Sequence, residues 1–272
     1  MSISGVDVYH NILIPITRTS NLKFLVDFVN VFLAPGGELT FFHVFTADGV
    51  LSVSPTEWRR AMSAISTTYH LAATDGLCIN YRVKSAKSVA SGIVDEAATG
   101  KYDLILLSNS TYRKRLKRVF GNKMDEVIRN ANIETTVLRY RDDQPMGFKK
   151  ILIPTSGYQH TARAAKLAEI MSKKYDSDVT VLYVGKSHDE AAAALRPVLD
   201  VLTASGVKHR ALFRQGPVVE TILDEADRGY DLMMIGATEG PKVPNFLLGS
   251  IADKLVTGSP CPVLMVKSTV NK

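Results

Sequence analysis

The sequence predicts an α/β protein built twice over: two tandem, doubly wound domains, each around a five-stranded parallel sheet. Three observations carry this. The chain repeats itself: Ile12-Leu13-Ile14-Pro15 returns as Ile151-Leu152-Ile153-Pro154, and Ile93-Val94-Asp95-Glu96-Ala97 as Ile222-Leu223-Asp224-Glu225-Ala226. Tyr102-Asp103-Leu104-Ile105-Leu106 likewise returns as Tyr230-Asp231-Leu232-Met233-Met234, and Gly121-Asn122 as Gly249-Ser250. Four landmarks in one order at nearly constant displacement mean two copies of a domain, since solenoid repeats run roughly 20 to 50 residues. Each copy also opens on a short isoleucine-rich apolar run, the habit of strands buried on both faces. Finally, such runs alternate with helical patterns, and parallel neighbours joined through helices require right-handed crossovers that cover both faces of the sheet.

In chain order, the opening strands are expected over 11–16 and 150–155. First helices follow: Leu22, Leu25, Val26, Val29 and Leu33 recur at helical spacing, as do Ala164, Leu167, Ala168 and Met171. Second strands are expected over 39–45 and 179–184, second helices near 58–73 and 190–204, and third strands near 80–84 and 209–213. Third helices fall over 88–99 and 218–226, fourth strands over 104–107 and 232–235. A loop, a helix and a last strand, 136–139 or 263–266, close each copy. The polar stretch Arg141-Asp142-Asp143-Gln144-Pro145-Met146-Gly147 ends in turn formers and marks the linker, dividing the chain into 1–144 and 145–272.

Composition bounds the function. With 272 residues, 46% hydrophobic and 22% charged, each half is long enough to bury its own core. A net charge of +6 concerns solubility and general attraction to anions, and nucleic acid is not an expected partner. The start of the chain has no leader pattern and no stretch nears the 18 apolar residues of a membrane span, so a soluble, cytoplasmic protein is expected. Cys78 and Cys261 lie at non-equivalent places in the repeat and are expected as two buried, reduced thiols.

In open α/β sheets ligands bind beyond the carboxyl ends of the strands, where strand order reverses. In the second copy that rule selects Pro154-Thr155-Ser156-Gly157, Tyr183-Val184-Gly185, and the segment from Gly236 to Ser250. The last begins Gly236-Ala237-Thr238-Glu239-Gly240 and ends with Gly249-Ser250 opening a helix. Glycines let backbone N–H groups approach an anion, and a helix N-terminus adds unpaired donors, so a phosphate is the natural guest. Ser250 either donates to that phosphate or caps its own helix.

Joined to the repeat, the Ile-Leu-Ile-Pro openings and Ser259-Pro260-Cys261-Pro262-Val263-Leu264, these residues resemble the universal stress protein family in its tandem form, over essentially the whole chain. The second half is also similar to the stress-protein domains fused to some amino-acid and cation transporters. The resemblance implies Rossmann-like domains of the adenine nucleotide alpha hydrolase type, arranged as a pseudo-dimer through their last strands, with further homodimerisation common. It implies ATP or another adenine nucleotide as ligand: Gly236, Ala237, Gly240, Gly249 and Ser250 around the phosphates, and Pro154, Thr155, Ser156 and Val184 around the nucleoside.

Three departures qualify this. ATP-binding members read Gly, two residues, Gly, nine residues, Gly, then Ser or Thr; here Glu239 holds the middle position and Gly240 follows it. A carboxylate facing a triphosphate costs on the order of 1 kcal/mol or more per contact when partly desolvated. Ser156 replaces the aspartate of the first loop and offers no charge to a metal, so magnesium is not expected. In the first copy Ser108, Thr111 and Thr17 replace two glycines and the aspartate, and Arg113, Lys114, Arg115, Lys117 and Arg118 crowd the loop, either as phosphate or acidic-partner contacts or as a solvated charge run. Ligand binding is therefore expected chiefly in the second domain.

Nothing demands catalysis: the chain has no GxSxG, HExxH, CxxC or GxxxxGK[ST] motif. His43 is expected as a pocket wall, Asp95-Glu96 and Asp224-Glu225 as solvated helix faces, and Trp58 and Met62 as packing contacts. The leading expectation is a cytoplasmic stress-response regulator that binds an adenine nucleotide without vigorous turnover. The alternative is a nucleotide-independent regulatory module, acting for instance on a membrane transporter, and a slow ATP hydrolase is a third reading.

Overall fold

The computed structural model describes residues 8–17, 20–46, 76–110, 122–141, 145–157, 160–237 and 249–267. The helix expected near 58–73, the basic run 113–118, Thr111, Gly121, and the loop 238–248 with Glu239 and Gly240 lie outside these. The chain forms two compact units whose division falls after Thr136.

The first unit runs β1 (Tyr9–Pro15), α1 (Leu22–Val29), β2 (Leu33–Thr46), β3 (Cys78–Ala86), α2 (Val89–Ala97), β4 (Leu104–Ser110) and α3 (Asn122–Asn130), with β5 (Glu134–Tyr140) spanning the division. Its strand order is β3-β2-β1-β4-β5, with β1 parallel to β2 and β4 and β2 parallel to β3. The second runs β6 (Lys150–Pro154), α4 (His160–Tyr175), β7 (Asp178–Val184), α5 (His188–Ala204), β8 (His209–Arg214), α6 (Val218–Ala226), β9 (Leu232–Gly236), α7 (Gly249–Gly258) and β10 (Val263–Lys267). Its order is β10-β9-β6-β7-β8, again with parallel pairings. Each unit is thus the doubly wound, five-stranded α/β domain the sequence predicts, with strand order reversing at β1/β4 and β6/β9.

The core follows from the apolar runs. Ile12, Leu13 and Ile14, and their copies Ile151, Leu152 and Ile153, are all inaccessible, so consecutive residues are buried on opposite faces, as a sheet covered on both sides requires. Helix entries are set by side chains: Asn21 accepts from the Phe24 amide, Ser88 and Ser91 form a reciprocal box, and Ser187 accepts from the Glu190 amide. One boundary differs from the sequence pattern. Leu33 continues the helical spacing, yet α1 stops at Val29, the Phe32 amide turns back to the Val29 carbonyl, and Leu33 pairs with Tyr9 as the start of β2.

The repeated Glu and Tyr-Asp landmarks build the same scaffold twice. Asp103 accepts from the amides of His10 and Asn11, and Asp231 from those of Lys149 and Lys150, tying the end of each third crossover to the first strand. The expectation of solvated faces holds for Asp95 and Asp224, which are exposed, but is overturned for their neighbours. Glu96 and Glu225 are only 3% and 4% exposed. The cause is a shared set of donors: the Tyr102 hydroxyl lies 3.0 Å from Glu96 Oε1 beside Arg82 at 3.0 Å, and the Tyr230 hydroxyl 3.0 Å from Glu225 Oε1. Arg228 and Arg214 complete the second network at 3.4 and 3.6 Å. A carboxylate supplied with a hydroxyl and guanidinium groups tolerates burial that an unpaired one would not.

The cysteine expectation is also half corrected. Cys261 is buried, but Cys78, the first residue of edge strand β3, is exposed. Burial pushes the Cys261 thiol up from its ordinary pKa, and at Cys78 partial desolvation and the nearby Glu38 carboxylate act in the same direction.

Candidate functional site

In the second unit Pro154, Thr155, Ser156, Val184, Gly236 and Ala237 lie at or just beyond the carboxyl ends of β6, β7 and β9. Pro154 ends β6 and is buried, and the Thr155 amide donates to the Leu182 carbonyl at 2.9 Å, extending the β6–β7 ladder into the loop. The Thr155 hydroxyl accepts from the Gly157 amide at 3.1 Å and reaches the Ala194 carbonyl of α5 at 3.5 Å, which closes the loop against that helix. Gly157 has φ +85°, and a Cβ there would stand 2.9 Å from the Ala194 Cα, so both conformation and space call for glycine. Ser156, between them, is exposed and faces outward from this fixed turn.

Val184 ends β7 and is nearly buried, while the following Gly185 carries its amide to the Arg214 carbonyl and lies under the Tyr183 ring. Tyr183 stacks on Phe213, which also meets His188, making an aromatic cluster at the ends of β7 and β8. Gly236 ends β9, and the Ala237 amide donates to the Val266 carbonyl at 2.8 Å. That donor is committed to the sheet, so Ala237 can serve a ligand as wall and not as an N–H contact. Gly249 and Ser250 open α7, a helix of 10 residues, as the sequence implies. Pro154, Thr155, Val184, Gly236 and Ala237 are thus placed at one end of the sheet, on the strands flanking the order reversal; Gly240 falls outside the described residues.

The first unit has a defined cavity at the equivalent place. About 240 Å³ lies between Pro15, Ile16 and Thr17 after β1, Phe42, His43 and Val44 on β2, Leu107 and Ser108 on β4, and Val89, Ile93, Lys123, Met124 and Val127 from α2 and α3. The lining is mainly apolar, with Thr17, His43, Ser108 and Lys123 as its polar groups. His43 is a wall residue, as expected: its Nδ1 lies 3.1 Å from the Ile16 carbonyl and its ring meets Phe45 edge-on. Sequence reasoning identified Thr17, His43 and Ser108 near this pocket but missed Lys123 and Met124. The available signal was their position in the first turn of the helix that follows the surviving Gly121-Asn122 pair.

Among the described residues no three of His, Cys, Asp or Glu are grouped to hold a metal ion, and no helix is long and apolar enough to cross a membrane.

The universal stress protein family model matches residues 185–267 of this chain. The chain is similar to a universal stress protein of Thermus aquaticus, with 30% identity over 136 residues, covering 44% of this chain and 99% of the relative. Among solved structures it is similar to a universal stress protein from Archaeoglobus fulgidus, with TM-score 0.71, 18% identity and coverage of 96% of this chain and 99% of the other. The cytoplasmic domain of a prokaryotic cation chloride cotransporter shares the fold at TM-score 0.65 and 11% identity, covering 95% of each chain.

Proposed function

This chain belongs to the universal stress protein family, and we propose that it is a cytoplasmic regulatory protein of the stress response that holds ATP or another adenine nucleotide, or a related phosphate ligand, at the carboxyl end of the second domain's sheet. The observation that carries the reading is the framing of the glycine loop: β9 terminates at Gly236, and the next described element, α7, begins at Gly249. A phosphate seated before α7 would meet the helix's first free N–H groups and the positive end of its dipole. The Ser250 hydroxyl and the Gly240 backbone would add further contacts.

The nucleoside would lie toward β6 and β7. Pro154 and Val184 offer apolar wall, Thr155 fixes the turn through Gly157 and Ala194, and the exposed Ser156 is free to exchange hydrogen bonds with ribose hydroxyls. Ser156 carries no charge, and the reading involves no magnesium. Binding without vigorous turnover is the proposed activity, with domain 1 over 1–144 and domain 2 over 145–272.

A second reading, a nucleotide-independent regulatory module that acts on a protein partner such as a transporter, is favoured by Glu239 in the glycine loop and by the mainly apolar lining of the first unit's cavity. Titration of the full chain with ATP, AMP and cyclic AMP by calorimetry, together with Gly249→Val, separates the two. Saturable binding abolished by that substitution supports the first; no binding at millimolar nucleotide favours the second.

A further inference from the structure

A cleft of about 380 Å³ starts at the amino ends of β6 and β7 in the second unit and runs along the edge strand β8 as far as Arg214, against α6. Its lining includes five cations, Lys150, Lys208, Arg210, Arg214 and Arg228, against two carboxylates, Asp178 and Glu225. From this geometry we infer a second ligand site, distinct from the glycine loop, for a small, multiply charged phosphate compound.

Both carboxylates are already engaged. Glu225 is buried between the Tyr230 hydroxyl, Arg228 and Arg214, and Asp178 pairs with Lys208 at 2.6 Å. Arg210 is held by neutral groups: its Nε donates to the Thr180 hydroxyl at 2.9 Å and its Nη2 to the Tyr230 hydroxyl at 3.2 Å. This fixes the guanidinium plane; Glu225 and Asp178 act on its charge only from beyond ion-pair distance, and its remaining donors stay available for bidentate recognition of a phosphate. Lys150 lines the same cleft and forms no ion pair among the described residues. The volume suits a small molecule, since ligand sites span about 300–1,000 Å³. A bounded cleft of this size favours a compact polyanion over an extended nucleic acid strand.

The two copies supply the control. Sheet register equates Lys150 with Asn11, Asp178 with Glu38, and Arg210 with Asn80, because Asn11 pairs with Glu38 and Thr40 with Asn80 in the first copy as their counterparts do in the second. Stepping back one residue from Asn80 and Arg210 equates His209 with Ile79, and one further equates Lys208 with Cys78. The landmark segments equate Arg228 with Thr99. The scaffold of threonine, tyrosine and buried glutamate is common to both copies, and each has an edge strand bearing some positive charge. Lys150, Lys208, Arg210 and Arg228 belong to the second copy alone. Arg82 serves the buried glutamate in the first copy as Arg214 and Arg228 do in the second, and Lys208 is paired with Asp178, so the charges the scaffold leaves over are Lys150 and Arg210.

The test is calorimetric titration of the full chain with sodium tripolyphosphate at low and physiological salt. Citrate serves as a carboxylate control, and a phosphate monoester such as glycerol phosphate distinguishes an ester ligand from inorganic polyphosphate. Apart from any binding at the glycine loop, which Gly249→Val removes, one saturable site weakening with salt is expected. The Lys150→Gln/Arg210→Gln pair should weaken it about tenfold or more, as the loss of charge-assisted contacts implies. Lys150→Gln alone, which leaves the Arg210 and Glu225 contacts intact, should weaken it by about threefold with no change in melting temperature. Gly249→Val should leave it unchanged, so failure of the nucleotide reading and failure of this one are separable. The inference is overturned if tripolyphosphate does not saturate the protein, if citrate binds equally well, if the double variant binds normally, or if an RNA oligomer alone binds through Arg210.

Discussion

Replacing Glu225 by glutamine tests whether the internal repeat is a structural device. Gln keeps the shape and can still accept from the Tyr230 hydroxyl, 3.0 Å away, but it removes the charge facing Arg228 and Arg214 at 3.4 and 3.6 Å. Breaking a fully buried pair costs about 3–5 kcal/mol. Here the arginines are 65% and 40% exposed and retain much of their hydration, which reduces the figure to about 2 kcal/mol. For a unit of this size that corresponds to a melting-temperature loss of about 4–8 °C. Urea denaturation followed by far-UV circular dichroism measures it, and Glu96→Gln should behave alike because Arg82 stands 3.0 Å from its carboxylate. A Tyr230→Phe/Glu225→Gln cycle should show coupling, since the pair share one hydrogen bond. Changes below about 0.5 kcal/mol in both glutamine variants, the size of an ordinary surface substitution, would refute the reasoning.

Gly157→Ala should destabilise the second unit by about 2 kcal/mol, combining a left-handed backbone with a Cβ placed 2.9 Å from the Ala194 Cα, and should lower nucleotide affinity by disturbing the Thr155 turn; unchanged thermal melting and titration would contradict it. Iodoacetamide at pH 8 should label Cys78 first, more slowly than a free thiol because partial desolvation and then Glu38 disfavour its thiolate, and Cys261 only after denaturation, as peptide mass mapping will read. Because the folded Cys261 pKa is raised while the unfolded thiol ionises near about 8.5, its contribution is fully present below that value and lost as pH rises toward the folded pKa. Stability should therefore fall through the alkaline range, and Cys261→Ala should flatten that slope.

Elements defined by dense apolar runs were legible in the sequence. Ile12 to Ile14 and Ile151 to Ile153 could only be strands buried on both faces, and the alternation around them fixed parallel topology. The end of α1 was not legible, because Leu33 satisfies the helical period and only its pairing with Tyr9 decides for the sheet. Nor was the burial of Glu96 and Glu225: polarity alone suggests solvent, and the hydroxyl and guanidinium groups that offset desolvation come from other elements. Of the candidate site, the Thr155 loop and the start of α7 were readable from Gly157 and from Gly249-Ser250. The engaged Ala237 amide was not, because its partner Val266 lies on another strand. The basic cleft escaped notice because Lys150, Lys208, Arg210 and Arg228 are scattered in sequence and meet only across the β6–β7–β8 register and α6.

The central claim is a fold kept twice with an adenine nucleotide or related phosphate ligand held in the second copy. It is tested most directly by mass spectrometry of small molecules released from gently purified full-length protein, quantified against the Gly249→Val variant. The account predicts a phosphate-bearing, adenine-containing compound in the native protein and its loss in the variant. Absence of any such compound, with no binding of ATP, AMP or cyclic AMP at millimolar concentration, would contradict it.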